Sequence, residues 1–477
     1  MKWIYLLLVL GVFLPRVLAD GLPDLGDASQ AVFSPQQERR IGESIMSDIR
    51  RSSELLDDAE ITDYLNSLGA RLVANSEATS RRFEFFIVKD STLNAFALPG
   101  GFIGVHAGLI LSAQSESELA SVLAHEISHV TQHHLARVIA GTQKNALTSL
   151  AVLAVAILAS RSNPQVANAA IATAQATSIQ SQLDYTREHE READRIGLQT
   201  LERSGFDARA MTSFFERLQK YGRLYENNAP VYLRTHPLTT ERIADVQNRV
   251  ESLPYRQVPD SLDFQLVRAR VEASQGAATP AIKTFRAALT DKKYSNEAAQ
   301  HYGLAVALLR GKDYVGAEKE LALARKTAVA HAMFDALAVQ IKSAAGQPGA
   351  ALDACRGGLR RYPHHRALIY ACAETQLQTR QPNEALGLVS GELKARGGDY
   401  RLYQLQAEAY AALGKNLQQH MALAEAYALS GSLGEAIEHL QIGLKARDGD
   451  FYHSSIAEAR LRQLREMEKE ARKQAQR

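Results

Sequence analysis

Ala317, Ala351 and Ala385 stand 34 residues apart, and each is followed four residues later by an apolar side chain, Leu321, Cys355 or Val389. Ala281 with Phe285 and Ala436 with Leu440 repeat the same pairing of small and large. Residues four apart lie one above the other on a helix, so each pair marks a buried stripe on which the alanine admits a close neighbour. The period describes a helix pair that cannot bury its apolar face alone and must stack on the next pair. Gly346 and Arg380 precede the last two spaced alanines by five residues, as in a turn that opens a helix. Ala436 lies 51 residues after Ala385, one and a half periods, which predicts an irregular end in which one helix between Leu417 and Leu429 serves two neighbours.

This is the period of tetratricopeptide repeats, and it predicts an α-solenoid over residues 256–477. Such arrays use a concave face to bind peptides or partner proteins, or they only brace the rest of the chain. Pro254 and Pro259 bracket the change of pattern and place the linker within Leu253–Asp260. Cys355 and Cys372, the two cysteines of the chain, lie 17 residues apart, half a period. In an oxidising compartment such a pair can form a disulfide. Both also fall on apolar repeat positions, where cysteine is a small core residue. From Arg460 to Arg477 mixed charges at helical spacing describe a solvated helix.

The chemistry lies in the first half. His125-Glu126-Ile127-Ser128-His129 sits in the apolar run Leu119–Val130. On a helix, His125 and His129 aim both imidazoles at one metal ion, with Glu126 beside a bound water. A catalytic zinc site takes three protein ligands and keeps one position open, so a third ligand is required. The candidates lie in the stretch Glu188–Leu198. Read as a helix, Glu190, Ala193, Asp194, Gly197 and Leu201 share one face, while Glu188, Glu192 and Arg195 share a more polar one. Ala193 and Gly197 permit close approach to the metal-bearing helix, which makes Glu190 the third ligand. Asp194 then accepts the free ring N–H of a ligating histidine and fixes its tautomer. His133 and His134 fall outside this ligand set, either solvated or behind it, and His189 reads as surface. One zinc per chain follows. It acidifies its water and polarises a carbonyl while Glu126 acts as general base and Asp194 supports, which gives peptide-bond hydrolysis or zinc hydrolysis of another amide.

His125, Glu126 and His129 followed by Glu190 and Asp194 resemble the His-Glu-x-x-His and Glu-x-x-x-Asp pattern of the gluzincin metallopeptidases, which include the CAAX-prenyl protease and the HtpX heat-shock peptidase. The stretch Asn94–Gly101 followed by Phe102–Val105 also looks like the segment those enzymes carry ahead of the metal helix. The resemblance spans roughly residues 35 to 250 and implies a zincin-like α+β metallopeptidase domain with a small sheet, placed at 20–255. His236 stands in Arg234-Thr235-His236-Pro237-Leu238, and proline keeps the residue before it extended, which predicts a loop position. In the periplasmic branch of the family a histidine in a matching context closes the open zinc position. The resemblance thus implies a regulatory fourth ligand at His236, with a transition-state hydrogen-bond donor and a surface loop histidine as alternatives. Members that combine a signal peptide, this domain and tetratricopeptide repeats imply a periplasmic zinc metalloendopeptidase with chaperone-like activity. Its implied partners are misfolded or stalled outer-membrane β-barrel proteins, and the barrel assembly machinery docks on the repeats.

Phe83–Val88 and Phe102–His106 are β-prone and predict strands of a small sheet. An exposed edge there can hold an extended peptide by main-chain pairing, or both strands are simply core. Residues 138–183 form an insert rich in Ala, Ser, Thr and Gln, apolar from Ala146 to Ala159 and too short for a membrane span. It reads as a packing helix or one that touches a membrane surface. Met1–Ala19, with Lys2, an apolar run and Val17-Leu18-Ala19, reads as a secretory signal peptide, and no later segment reads as an anchor. A net charge of +2 with 23% charged residues gives no sign of a nucleic-acid surface.

Overall fold

The computed structural model describes residues 34–77, 82–140, 187–224 and 230–475. The signal-peptide pattern lies outside them, as does the insert apart from residues 138–140, which end a helix begun at His134. Helix α1 (Pro35–Arg51) opens on a reciprocal cap between Ser34 and Gln37, and α2 (Ala59–Ala74) on Asp58, whose carboxylate accepts from the backbone of Glu60 and Ile61. Strands β1 (Glu84–Val88), β2 (Ala95–Leu98) and β3 (Phe102–His106) form one sheet in the order β1-β3-β2. Central β3 runs parallel to β1, with Glu84 opposite Phe102 and Val88 opposite His106, and antiparallel to β2, with Ala95 opposite Val105. The two β-prone stretches therefore pair with each other. The reading of the sequence assigned no strand to residues 95–98, which form the second edge of the sheet. The β2–β3 turn places Gly100 and Gly101 at φ of 77° and 86°, which side-chain-bearing residues adopt only with strain.

After α3 (Ala107–Ser112) comes α4 (Glu116–Thr131), the helix that carries the His-Glu-x-x-His pentad. The Ser115 side chain caps it by accepting from the Glu118 backbone. The burial extends beyond the apolar run Leu119–Val130: every residue from Glu116 to Val130 is buried. The cause is its central place: β2, α2, α6 (Arg187–Arg203) and α7 (Arg209–Leu224) all pack on it. Three short or peripheral elements complete this half, α5 (His134–Ala140), α8 (Val231–Thr235) and α9 (Thr240–Glu251).

From Leu262 onward the described chain is helical throughout: α10 (Leu262–Ser274), α11 (Ala278–Asp291), α12 (Glu297–Arg310), α13 (Tyr314–Thr327), α14 (Ala332–Ala344), α15 (Pro348–Arg361), α16 (Arg366–Gln378), α17 (Pro382–Arg396), α18 (Tyr400–Ala412), α19 (Asn416–Leu429), α20 (Leu433–Gly443) and α21 (Phe451–Ala475). Lys312, Gly346, Arg380 and Gly414, each 34 residues after the last, all take left-handed φ values between 59° and 69°. In each case the next N–H returns to a carbonyl of the ending helix, as from Asp313 to Leu308 (2.9 Å) and from Gln381 to Gln376 (2.8 Å). The same helix-closing turn thus recurs in register. The five alanines and their apolar partners four residues on are buried without exception. Helix α19 packs on both α18 and α20, and Gly431, at φ 84°, starts the out-of-phase last pair. Cys355 on α15 and Cys372 on α16 form a disulfide, with Cα atoms 5.5 Å apart.

The repeats do not project away from the first half. Arg270 pairs with Asp58 at 2.7 Å, His365 with Glu60 at 3.0 Å and Arg366 with Asp63 at 3.4 Å. Tyr400 donates to Asp57, and the Ser47 hydroxyl donates to the Gly431 carbonyl at 3.1 Å. Successive repeats therefore touch points along α1 and α2. At the junction Asp260 accepts from the Glu116 backbone (2.7 Å) and the Ser261 hydroxyl donates to the Glu116 carboxylate (2.8 Å), which fastens the linker to the start of α4. One apolar core runs across the junction from Ile61 to Ile341. Among the described residues no helix is long and apolar enough to cross a membrane.

Candidate metal centre

His125 and His129 occupy successive turns of α4, and their Nε2 atoms come within 2.9 Å of each other. Glu190 reaches them from α6, with Oε2 3.5 Å from His125 Nε2 and Oε1 3.4 Å from His129 Nε2. The approach depends on Gly197: a Cβ there would stand 3.1 Å from the His125 backbone nitrogen and 3.2 Å from its Cα. Ala193, one turn back on the same face, is fully buried. His236 closes the fourth side, its Nδ1 3.0 Å from Glu190 Oε1 and 3.3 Å from His125 Nε2. One ligand atom from each of these four buried residues lies within 4.8 Å of the other three.

Asp194 Oδ1 lies 3.0 Å from His125 Nδ1. Glu126, beside His125 on α4, is fully buried, and His236 Nε2 lies 3.4 Å from its Oε1. Neither of its oxygens has a hydrogen bond of ordinary geometry. Burial pushes its carboxyl above the usual range, against the opposing pull of His236 and His125. Glu188 is exposed, and Glu192 pairs with His134 (3.1 Å) and Arg137 (2.7 Å) rather than with the cluster.

One expected placement, that of His189 at the surface, is wrong, and those of His236 and His134 are narrowed. His236 takes the loop position expected, just past α8 as its C-cap, but it is 2% exposed with its ring stacked 4.7 Å from Tyr232, which excludes a surface histidine. His189 is buried, because the ring of His134 stacks on it at 4.5 Å. His134 is itself fully buried, while the break between α4 and α5 falls on His133, at φ 54°.

The sequence reading missed Arg242. Its guanidinium meets Asp194 at 2.7 and 2.8 Å, Glu190 Oε2 at 2.7 Å and the Pro237 carbonyl at 2.7 Å, all while 2% exposed. A signal was present: Arg242 falls among Ile243, Val246 and Val250 on the buried face of α9, and an arginine there requires buried carboxylates.

The electrostatics ask for a cation at the centre. Burial opposes charge on both α4 histidines. For His125 the hydrogen bonds to Asp194 and Glu190 outweigh it and raise the imidazole to about 10, whereas His129 is held well below the ordinary value by burial and by the neighbouring His125. Glu190 stays ionised despite its burial, because His236 and His125 favour its anion. Two imidazole nitrogens, a third and a carboxylate facing one point are borderline-soft and hard donors of the kind zinc takes. The buried His/His/Glu/His cluster is able to hold one zinc ion.

Comparison with known proteins agrees with this chemistry. The sequence pattern of peptidase family M48 matches residues 60–250. The chain is 35% identical over 457 residues to the beta-barrel assembly-enhancing protease of Escherichia coli O157:H7, covering 94% of this chain and 92% of that one. It is 34% identical over 460 residues to the protein of the same name from Yersinia pestis, covering 95% and 93%. Mitochondrial metalloendopeptidase OMA1 of Arabidopsis thaliana is 30% identical over 220 residues, 46% of this chain and 42% of that one.

Proposed function

The chain belongs to peptidase family M48 and is a metalloendopeptidase, and from that premise we propose that it works in the periplasm in the assembly and quality control of outer-membrane β-barrel proteins. The relatives named for barrel assembly align along nearly the whole chain, repeats included, which supports this substrate class. The Cys355–Cys372 disulfide and the signal-like Met1–Ala19 support an oxidising compartment outside the cytoplasm.

In this reading residues 20–255 form the peptidase unit and 256–477 the repeat unit, with zinc on His125, His129 and Glu190. When bound, the metal supplies a Lewis acid that acidifies water and polarises a peptide carbonyl. Glu126, its carboxyl raised by burial, takes the water proton and passes it to the leaving amine. Asp194 accepts from His125 Nδ1 and keeps Nε2 turned to the centre. An extended substrate pairs with the edge strand β2, where Ala97 and Leu98 line a small cavity together with His129 and Val130.

The observation that carries this proposal is the convergence of His125, His129, Glu190 and His236 in a cluster closed to solvent. Metal analysis tests it: wild type should hold one zinc per chain, Glu190→Gln should lose it and Glu188→Gln should keep it. The reverse pattern would mean that the ligand face of α6 is misassigned.

One observation favours a second emphasis, in which the repeats do chaperone-like work while proteolysis is restrained: His236 already sits 3.0 Å from Glu190. Biological function that survives Glu126→Gln would support it. Full-length Glu126→Gln used as a trap should co-purify β-barrel precursors and their assembly machinery. A spread of unrelated unfolded chains in the trap would point to a general periplasmic peptidase.

A further inference from the structure

His129 carries a second line of contacts that the peptidase mechanism does not use. Its Nδ1 lies 2.9 Å from Nδ1 of His134, at the start of α5. The other ring nitrogen of His134, Nε2, lies 3.1 Å from Glu192 Oε2, and that same oxygen accepts from Arg137 Nη1 at 2.7 Å. Glu192 stands two residues before Asp194 on α6, so a single helix addresses both α4 histidines: Asp194 meets His125 directly, and Glu192 meets His129 through a second imidazole.

The direction of every proton in this line follows from donor and acceptor chemistry. A guanidinium only donates and a carboxylate only accepts. Nε2 of His134 is therefore the donor toward Glu192, which leaves a lone pair on Nδ1 in the neutral ring. Nδ1 of His129 must then donate to it, and the lone pair of His129 falls on Nε2, the atom 2.9 Å from His125 Nε2 at the centre. A bond between two δ nitrogens has two possible polarities, and only one leaves His129 able to bind a metal. The carboxylate at the far end selects it.

We propose that Glu192 and His134 form a relay that locks His129 in the Nδ1–H tautomer, which makes both of them positioning residues of the metal centre, with Arg137 holding Glu192 in place. The relay rests on the reading of His129 as a zinc ligand. It gives α6 two duties: Glu190 faces the metal, while Asp194 and Glu192 orient the histidines opposite. The full burial of His134 fits this role, since a relay open to water would let solvent compete for each nitrogen.

Two measurements on the full-length protein test it. In metal-free wild type labelled with ¹⁵N-histidine, and with His129 assigned by comparison with His129→Gln, long-range ¹H–¹⁵N correlation should report the Nδ1–H tautomer. In competition with a chromogenic chelator, His134→Phe and Glu192→Gln should bind zinc about 10–100-fold more weakly than wild type, the range for loss of a partner behind a metal ligand. Glu192→Asp should recover part of the loss and Glu188→Gln should show none. An Nε2–H tautomer at His129, or wild-type zinc affinity in His134→Phe, overturns the relay while leaving the zinc site intact. Failure of wild type to bind zinc overturns the site reading itself, and the relay with it. The tautomer measurement needs no substitution in the relay, so it decides the matter even where a variant does not fold.

Discussion

The guanidinium of Arg242 closes on both oxygens of Asp194, at 2.7 and 2.8 Å, while Asp194 in turn lies 3.0 Å from His125 Nδ1. A single buried cation thus stands behind a histidine of the proposed zinc site, and its bonds to Glu190 and the Pro237 carbonyl tie the same guanidinium to the segment that bears His236. Geometry at the centre is set from α9, an element with no ligand of its own.

Arg242→Met should therefore destabilise the metal-free protein by about 3–5 kcal/mol, because it leaves two buried carboxylates without their cation. Urea denaturation in the presence of chelator measures this. Arg242→Lys should recover little, since an ammonium cannot form the fork that spans Asp194. A stability within about 1 kcal/mol of wild type for the methionine variant would mean that the ion pairs only balance their own desolvation.

The Cys355–Cys372 disulfide joins residues 17 apart on adjacent repeat helices. Closing a loop of that size restricts the unfolded chain by about 3 kcal/mol. The double variant Cys355→Ala with Cys372→Ala should lose about that much in denaturant unfolding, and reductant should reproduce the loss in wild type. Zinc content should not change, as the bridge lies among Ala336, Val339 and Leu368 and not at the metal centre. Insensitivity of the unfolding midpoint to reductant would show that the bridge does not constrain the chain.

Contact between the repeats and α2 should respond to pH. Burial alone would lower the His365 imidazole, but its hydrogen bond to Glu60, together with the charges of Glu60, Asp63 and Asp263, outweighs burial and raises it. A raised folded value contributes stability that is fully present below the unfolded value of about 6.5 and is lost as pH rises through the folded value. The advantage of wild type over Glu60→Gln should accordingly be greater at pH 6 than at pH 9, read from denaturation midpoints at both. Asp63 and Asp263 face the same ring and remain in both proteins, so the comparison isolates Glu60. An advantage that grows with pH would contradict the pairing.

How much of this was legible from the residues follows from what local pattern can encode. The face of α6 was readable because Gly197 and Ala193 are small where a close approach is needed, and the contact of Gly197 with the His125 backbone is that approach. The repeat phase was readable because Ala317, Ala351 and Ala385 recur under the same packing demand. The four residues of β2 were too short to register by composition, and pairing with β3 makes them a strand. Burial of α4 on every side erased the apolar stripe that marks a surface helix. His189 and Arg242 were misread or missed because their partners, His134 and Asp194, are brought to them only by the tertiary fold.

His236 is packed as a closed latch would be. Its Nδ1 faces Glu190 at 3.0 Å and His125 at 3.3 Å, its Nε2 lies 3.4 Å from Glu126, and its ring stacks on Tyr232. In this position the side chain closes the fourth side of the cluster, and it neighbours Glu126, the proposed general base, as well as the proposed ligands. Zinc with four protein ligands is closed and structural in character, while zinc with three and a water is catalytic. One backbone bond, from His236 N–H to the Tyr232 carbonyl at 2.8 Å, ends α8, and Pro237 prevents the helix from continuing. His236→Ala should therefore raise cleavage of an unfolded protein substrate, and Glu126→Gln should abolish it in either background. Turnover of a casein-like substrate at matched zinc content is the measurement. Should His236→Ala lower turnover sharply with zinc retained, the imidazole donates to the transition state, and the packing seen here is that of a catalytic group at rest.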